Sequence, residues 1–198
     1  SEVTETLCRS LGLRHSIVPM SDARVRTVVE TDEGDLAFQV YFVQRRCQPV
    51  AKGIHFESAE DISPSRGFLN ALENAHSIVF CPSHPFLSVA PILSVPGVRD
   101  RIASFSGARV AVSPIVGGEA LRGPAAKLLE ELGHDVSCLG VAKQYQGLCD
   151  IFLIDEVDRH HAHAIGKLGM QVEVAPTIMV TDEDKVRLAT DICQLLDR

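Results

Sequence analysis

Between Ser113 and Pro124 the chain reads Ser113-Pro114-Ile115-Val116-Gly117-Gly118-Glu119-Ala120-Leu121-Arg122-Gly123-Pro124. Gly117, Gly118 and Gly123 allow positive φ and a close approach of backbone to a ligand. Ser113 and Arg122 add a hydroxyl and a cation. Where such a loop enters a helix, its unpaired amides and the positive helix end face an anion, so Ser113, Pro114, Ile115, Gly117, Gly118, Arg122 and Gly123 are suited to a phosphorylated ligand. No Gly-Lys-Ser/Thr follows, which excludes a Walker A loop, and the dinucleotide fingerprint is absent. A glycine-rich turn that only packs closely fits the same residues.

A second loop, Pro82-Ser83-His84-Pro85-Phe86-Leu87-Ser88, combines two stiffening prolines with polar Ser83, His84 and Ser88. It reads as a second wall of the same pocket, or as a rigid turn whose His84 caps backbone carbonyls. Asp155, Glu156 and Asp158 have the chemistry to hold a metal or accept from a ribose. Acids at a helix start also answer the helix dipole, and that is the preferred reading. His160, His161 and His163 follow. Zinc would need ligands on one face with a partner such as Asp158, and the spacing matches no standard signature, so a solvated histidine-rich face is expected. Pro19-Met20-Ser21-Asp22, ahead of Thr27, reads alone as a turn before a strand.

The elements that position these residues follow from periodicity. Glu2 to Leu11 predicts a short helix, with Val3, Leu7 and Leu11 on one face and Gly12 ending it. Residues 24–29, Leu36 to Val43 and Val50 to Phe56 are β-rich, with a hairpin turn at Asp32-Glu33-Gly34-Asp35. In the middle segment Phe38, Val40 and Phe42 alternate with Gln39 and Tyr41, which predicts one buried and one wetter face. Residues 20–58 thus form an antiparallel β-rich lobe or an added edge. From Ser63, an expected helix cap ahead of Pro64, strands and helices alternate. Strands are expected at 78–81, 109–112, 151–154 and 171–174. Helices are expected at 63–75, 98–105, 123–132 and 157–167, and from Thr181 with Asp184 as its capping-box partner. In the helix at 123–132, Ala125, Leu128, Leu129 and Leu132 share a face while Lys127, Glu130 and Glu131 point out. Short apolar strands between helices predict an α/β fold: a doubly wound, mainly parallel, Rossmann-like sheet with the antiparallel excursion, in a single domain over 1–198.

Composition sets the bounds. In 198 residues, 45% are hydrophobic and 23% charged, an ordinary globular balance. The formal charge of -7 leaves no basic stripe for nucleic acid. The sequence holds no apolar run approaching the ~20 residues of a membrane span. Six dispersed cysteines without a Cys-x-x-Cys pair suggest reduced thiols in a cytoplasmic protein, with Cys81, Cys138 and Cys193 in apolar surroundings.

Taken in order, the motifs resemble one family. They are Pro19-Met20-Ser21-Asp22 with Val25-x-Thr27; Phe38-Gln39-x-Tyr41-Phe42-Val43; Cys81-Pro82-Ser83-His84-Pro85-x-x-Ser88-x-x-Pro91-Ile92-Leu93-x-Val95-Pro96-Gly97; Ser113 to Pro124; Asp155-Glu156-x-Asp158; and Thr177-Ile178-Met179. The chain resembles the 2-phospho-L-lactate transferases of deazaflavin coenzyme F-420 biosynthesis along nearly all its length. The resemblance implies a guanosine diphosphate-activated phospholactate or phosphoenolpyruvate donor, the deazaflavin Fo as acceptor, GMP as leaving group, and magnesium. It places the nucleotide phosphates at the 113–123 loop with Ser83, His84 and Ser88 beside them, and the acceptor near Met20, Ser21, Asp22 and Thr27.

The family's first strand, its Gly-Gly-x-Gly-Gly turn and the acids that hold magnesium have no counterpart here. The chain is therefore expected to be a carboxy-terminal portion that pairs with a second copy as a dimer, without metal ligands of its own. His84 stands where the family usually has asparagine, and Pro176 where an aspartate commonly precedes the threonine. Two other readings stay open: a non-catalytic nucleotide-sugar-binding regulator of the gluconeogenesis-factor type, and a truncated inactive relative. The Phe38-Gln39-x-Tyr41-Phe42 segment favours the transferase, and guanine against uracil preference separates it from the regulator.

Overall fold

The computed structural model describes Thr6, residues 8–13, His15, residues 17–120 and residues 124–197. Of the expected first helix, Thr6 and residues 8–10 are helical and Gly12 takes φ 64°. Val3 and Leu7 lie outside the described residues.

The lobe is an antiparallel sheet of β1 (Arg26–Thr31), β2 (Gly34–Ala37) and β3 (Ala51–Glu57), in the order β2-β1-β3. The turn at Asp32 pairs Thr31 with Gly34. The Thr31 hydroxyl holds this turn, donating to Gly34 O at 2.6 Å and accepting from Glu33 N at 3.2 Å. The strand expected over 36–43 ends at Ala37. Residues 38–44 coil into a helical turn, wide over Val40–Gln44. Helical spacing stacks Phe38 on Phe42, with ring centroids 5.6 Å apart. It also turns Tyr41, expected on the wetter face, into the lobe's core with Val29, Ala51 and Leu128. Alternating apolar residues fit a strand and this turn alike, and burial of the Tyr41 ring selects the turn.

The second sheet holds the rest. In chain order come β4 (Ser77–Phe80), β5 (Ala108–Val112), a small hairpin of β6 (Ile115–Val116) and β7 (Glu119–Ala120), then β8 (Ile151–Ile154) and β9 (Gln171–Val174). Strands β4, β5, β8 and β9 are parallel neighbours in that order. The helices are α1 (Arg66–Asn74), α2 (Ala90–Leu93), α3 (Val98–Ala103), α4 (Ala125–Glu131), α5 (Cys138–Gln144), α6 (Ala162–Gly166) and α7 (Asp182–Leu196).

Side chains alternate across the parallel strands. Ala111, Phe152 and Ile154 pack with Leu129 of α4, Val141 of α5 and Ile165 of α6. Val110, Val112 and Leu153 point the other way, against Leu188, Ile192 and Leu195 of α7. Each such fully buried aliphatic side chain contributes about 1.5–3 kcal/mol. Helices therefore cover both faces, as short all-apolar strands require.

Several local expectations change. Helix α1 is capped by Ser65, not Ser63: the Ser65 hydroxyl accepts from Phe68 N at 3.1 Å and donates to Pro19 O at 2.6 Å, so the cap also fastens the 19–22 turn. The helix expected over 98–105 ends at Ala103. The segment expected as one helix over 157–167 is a 3₁₀ turn, Glu156–His161, followed by α6. Helix α5, which the periodicity did not suggest, begins at Ser137, whose hydroxyl accepts from Gly140 N at 3.0 Å. Gly140 lowers helix propensity, but a Cβ there would stand 1.9 Å from Asp135 O, so only glycine fits.

Lys127 and Glu131 do not face solvent as expected. Lys127 Nζ donates to Pro49 O at 3.3 Å and pairs with Glu131, whose Oε2 accepts from Ala51 N at 3.0 Å. With Leu128 buried in the lobe's core, α4 is the element on which the lobe docks. All six cysteines are free. Cys138 is buried, but Cys81 and Cys193 are exposed: Cys81 follows the edge strand, and Cys193 lies off the α7 stripe of Leu188, Ile192 and Leu195. No helix among the described residues is long and apolar enough to cross a membrane.

Candidate functional site

Parallel strands deliver their following loops to one end of the sheet, where ligands of open α/β sheets bind. A cleft of about 680 Å³ lies there. Pro82 and His84 reach it after β4, Ser113, Pro114 and Val116 after β5, Ala125 from the start of α4, residues 177–180 after β9, and Lys185 from the first turn of α7. Among the described residues its wall contains one cation, one histidine and no carboxylate, in a chain whose formal charge is -7.

Ser113 is buried, and its hydroxyl is spent on the loop, donating to Ile115 O at 2.8 Å and accepting from Ile115 N at 3.2 Å. Ser113 N donates to Leu153 O at 3.0 Å, extending the β5–β8 ladder. These bonds launch the β6–β7 hairpin, whose tip is Gly117 at φ 60° and Gly118 at φ 80°. A left-handed pair is costly for other residues, which is the reason for glycine at both positions. Both glycines are exposed, and Asp158, 2% exposed, accepts from Gly117 N at 3.0 Å. Arg122 and Gly123 lie outside the described residues.

His84 caps its own turn. Its Nδ1 accepts from Phe86 N at 3.2 Å, which assigns the proton to Nε2. That Nε2 is buried and without a hydrogen-bond partner among the described residues. Burial lowers the His84 pKa to about 4, so the ring is a neutral donor at physiological pH. Ser88 is exposed, its amide donating to His84 O at 2.9 Å. Ser83 is half-buried, and neither serine is in the cleft wall.

Behind the cleft, Asp155 caps the Glu156–His161 turn, its Oδ1 accepting from Val157 N at 3.2 Å. Its Oδ2 holds Thr177, and Arg187 donates to Pro176 O at 2.7 Å. The acidic motif was expected to answer a helix dipole. Asp155 does cap the turn, while Asp158 turns to the glycine loop instead. Lys185 and the 177–180 loop had no place in the expected site, although Thr177, Ile178 and Met179 stood among the motifs.

A model of the 2-phospho-L-lactate transferase CofD family matches residues 1–189. The chain belongs to this family. It is 37% identical over 194 residues to a 2-phospho-L-lactate transferase of Methanosarcina mazei, covering 98% of this chain and 63% of that one. It is 40% identical over 189 residues to a phosphoenolpyruvate transferase of Streptomyces griseus, covering 93% of this chain and 59% of that one. The chain thus spans less than two thirds of the length of these family members. Among solved structures, protein BH3568 from Bacillus halodurans superposes with a TM-score of 0.63 at 18% identity, over 96% of this chain and 65% of that one. At that identity the likeness shows the fold.

None of the acceptor-side residues expected from the family is in the wall of the cleft. Met20 and Ser21 border an apolar hollow of about 190 Å³ with Pro91, Ile92 and Val95. Thr27 borders an open hollow of about 840 Å³ on the lobe, with Phe38, Gln39 and Glu57. Asp22 is exposed and borders neither hollow. The described residues do not fit the magnesium that the resemblance implies: among them the cleft wall offers no carboxylate, and both Asp155 oxygens already accept hydrogen bonds. A grouping of Cys138, Asp158 and His161 lies below the glycine loop, but magnesium prefers all-oxygen ligands. Burial and the Asp158 carboxylate push the Cys138 thiol up to about 12.

Proposed function

We propose that this chain forms the nucleotide cleft and the acceptor-side surface of a transferase of coenzyme F-420 biosynthesis. The donor is a phospholactyl or phosphoenolpyruvyl group activated as its guanosine diphosphate derivative, and the acceptor is the deazaflavin Fo. The terminal hydroxyl oxygen of the Fo ribityl chain bonds to the phosphorus that carries the three-carbon group. The bond from that phosphorus to GMP breaks, and the hydroxyl proton leaves to solvent.

The observation that carries the nucleotide half is the cleft's electrostatics. His84, whose neutral Nε2–H is buried and unpartnered among the described residues, and Lys185 line a cleft whose described wall residues include no carboxylate, next to the strand that leads to the Gly117–Gly118 hairpin tip. Donors facing a cleft are what phosphate oxygens require, and fixed donors stabilise the charge that grows on them in transfer. The chain's part is to bind and orient. Ser113 fixes the loop from inside, Asp155 and Asp158 hold two of the loops, and the hollows at Met20, Ser21 and Thr27 offer an apolar and a polar surface to a flat heterocycle with a polar chain. Family membership and the names of the relatives support the same chemistry.

Calorimetric titration with GDP, a uridine diphosphate sugar and Fo tests the reading. Saturable binding of GDP and of Fo, with none of the uridine ligand, is expected. Binding of the uridine ligand alone would replace the transferase by a nucleotide-sugar regulator, and failure of all three would leave the fold without its site.

A further inference from the structure

Cys138, Asp158 and His161 come from two separate segments, the first residue of α5 and the Glu156–His161 turn. One ligand atom of each lies within 4.8 Å of the others. The 3₁₀ form of the turn is the reason two of them meet. With three residues per turn, positions i and i+3 eclipse, which stacks Asp158 and His161 on one side, while the exposed His160 ring packs on the His161 ring, their centroids 4.1 Å apart. Cys138 is 0% and Asp158 2% exposed, while His161 is half-buried and opens the group to solvent.

Asp158 is a buried carboxylate with no salt bridge among the described residues. One oxygen accepts from Gly117 N, and its second is available to a cation. Buried charge is costly unless it is paired or coordinates a metal. Sulfur, imidazole and carboxylate together are a borderline donor set, which selects zinc-like ions over magnesium or calcium.

We propose that Cys138, Asp158 and His161 form a divalent transition-metal site of the zinc type, with an open fourth position on the solvent side. On binding, the Cys138 S–H bond is replaced by a sulfur–metal bond and the proton leaves to solvent. Because Asp158 also holds Gly117 N, occupancy ties the glycine hairpin to the turn after β8. This site is separate from the nucleotide cleft, whose wall contains none of the three residues.

Cobalt(II) is the spectroscopic probe, added to reduced protein. The site predicts one equivalent bound, with d–d absorption of four-coordinate intensity and a sulfur-to-cobalt charge-transfer band, displaced by stoichiometric zinc. Cys138→Ser is expected to abolish the charge-transfer band. His161→Ala, at a half-buried position that spares the core, is expected to weaken zinc binding by about tenfold or more. Control substitution of the exposed Cys81 and Cys193 leaves the spectrum unchanged. Absence of stoichiometric binding, d–d bands without charge transfer, or a spectrum unaltered in His161→Ala would overturn the proposal, and the last holds even where Cys138→Ser fails to fold.

Discussion

Asp155 Oδ2 accepts two hydrogen bonds from Thr177, one from the amide at 2.8 Å and one from the hydroxyl at 3.1 Å. Both residues are 5% exposed and stand at the carboxyl ends of neighbouring strands, so this contact fixes the loop after β9 against the loop after β8. Thr177 lines the cleft, and Asp155 supports it from behind.

Asp155→Ala leaves two buried donors of Thr177 and the Val157 amide without their acceptor. A loss of about 3–5 kcal/mol is expected, as for other broken buried charged networks. Thr177→Val removes the hydroxyl alone and costs about 1 kcal/mol. Urea midpoints of the two variants should rank in that order, and equal midpoints would show that the tie carries no stability.

His84 makes stability depend on pH with a definite sign. Its folded pKa of about 4 lies below the ordinary 6.5. As pH falls from 6.5 the unfolded chain takes up the proton first, so stability is lost between 6.5 and 4 and is flat with respect to this group above 6.5. The full loss is at most about 3.4 kcal/mol, at 1.36 kcal/mol for each pKa step. His84→Asn, which cannot titrate, is expected to flatten the curve of urea midpoint against pH in that window. An unchanged slope would place the titration elsewhere. Nucleotide affinity is expected to stay level from pH 6.5 to 8, since the Nε2–H donor is neutral throughout.

The glycine hairpin offers a third test. Gly118→Ala meets only an ordinary contact, Val136 O at 3.6 Å, so its cost is the left-handed φ alone, about 1–2 kcal/mol. The hairpin tip would relax, with nucleotide affinity falling several-fold while the parallel sheet stays intact. Asp158→Asn keeps an acceptor for Gly117 N and should spare nucleotide binding, whereas Asp158→Ala should not. Calorimetry on the three variants distinguishes loop geometry from general destabilisation.

Much of this fold is written in local pattern. The strand at 151–154 stands where its apolar run puts it, because a strand buried on both faces admits little but apolar side chains, while the edge strand at 171–174 alternates Val172 and Val174 with polar residues, and the Thr181–Asp184 capping box stands where its cap residues put it. The segment at 36–43 was misread because alternation of Phe38, Val40 and Phe42 satisfies two geometries, and only packing of Tyr41 against Leu128, far along the chain, decides between them. Lys127 and Glu131 looked solvated for the same reason: their partners Pro49 and Ala51 come from the lobe. In the site, Ser113, Pro114 and His84 were legible from loop chemistry next to strands. Lys185 was not, since a lysine in the first turn of a helix carries no signal until the 177–180 loop is seen to fold beside it.

Lys185 is the cation of the cleft wall, and its ammonium donates to Asp182 Oδ1 at 2.7 Å. That pair is exposed, so breaking it costs no more than about 0.5 kcal/mol of stability. A hydrogen bond from a charged donor to a phosphate contributes more, about 1.5–3 kcal/mol, because the interaction is charge-assisted, and it outweighs the exposed pair with Asp182. Lys185→Ala should therefore weaken GDP binding by roughly tenfold or more with an unchanged urea midpoint. Lys185→Arg should restore part of it. Salt is the second readout: the affinity of the unaltered chain should fall from low to high ionic strength more steeply than that of Lys185→Ala, since screening acts on a charge the variant lacks. Parallel salt dependences would remove Lys185 from the nucleotide site.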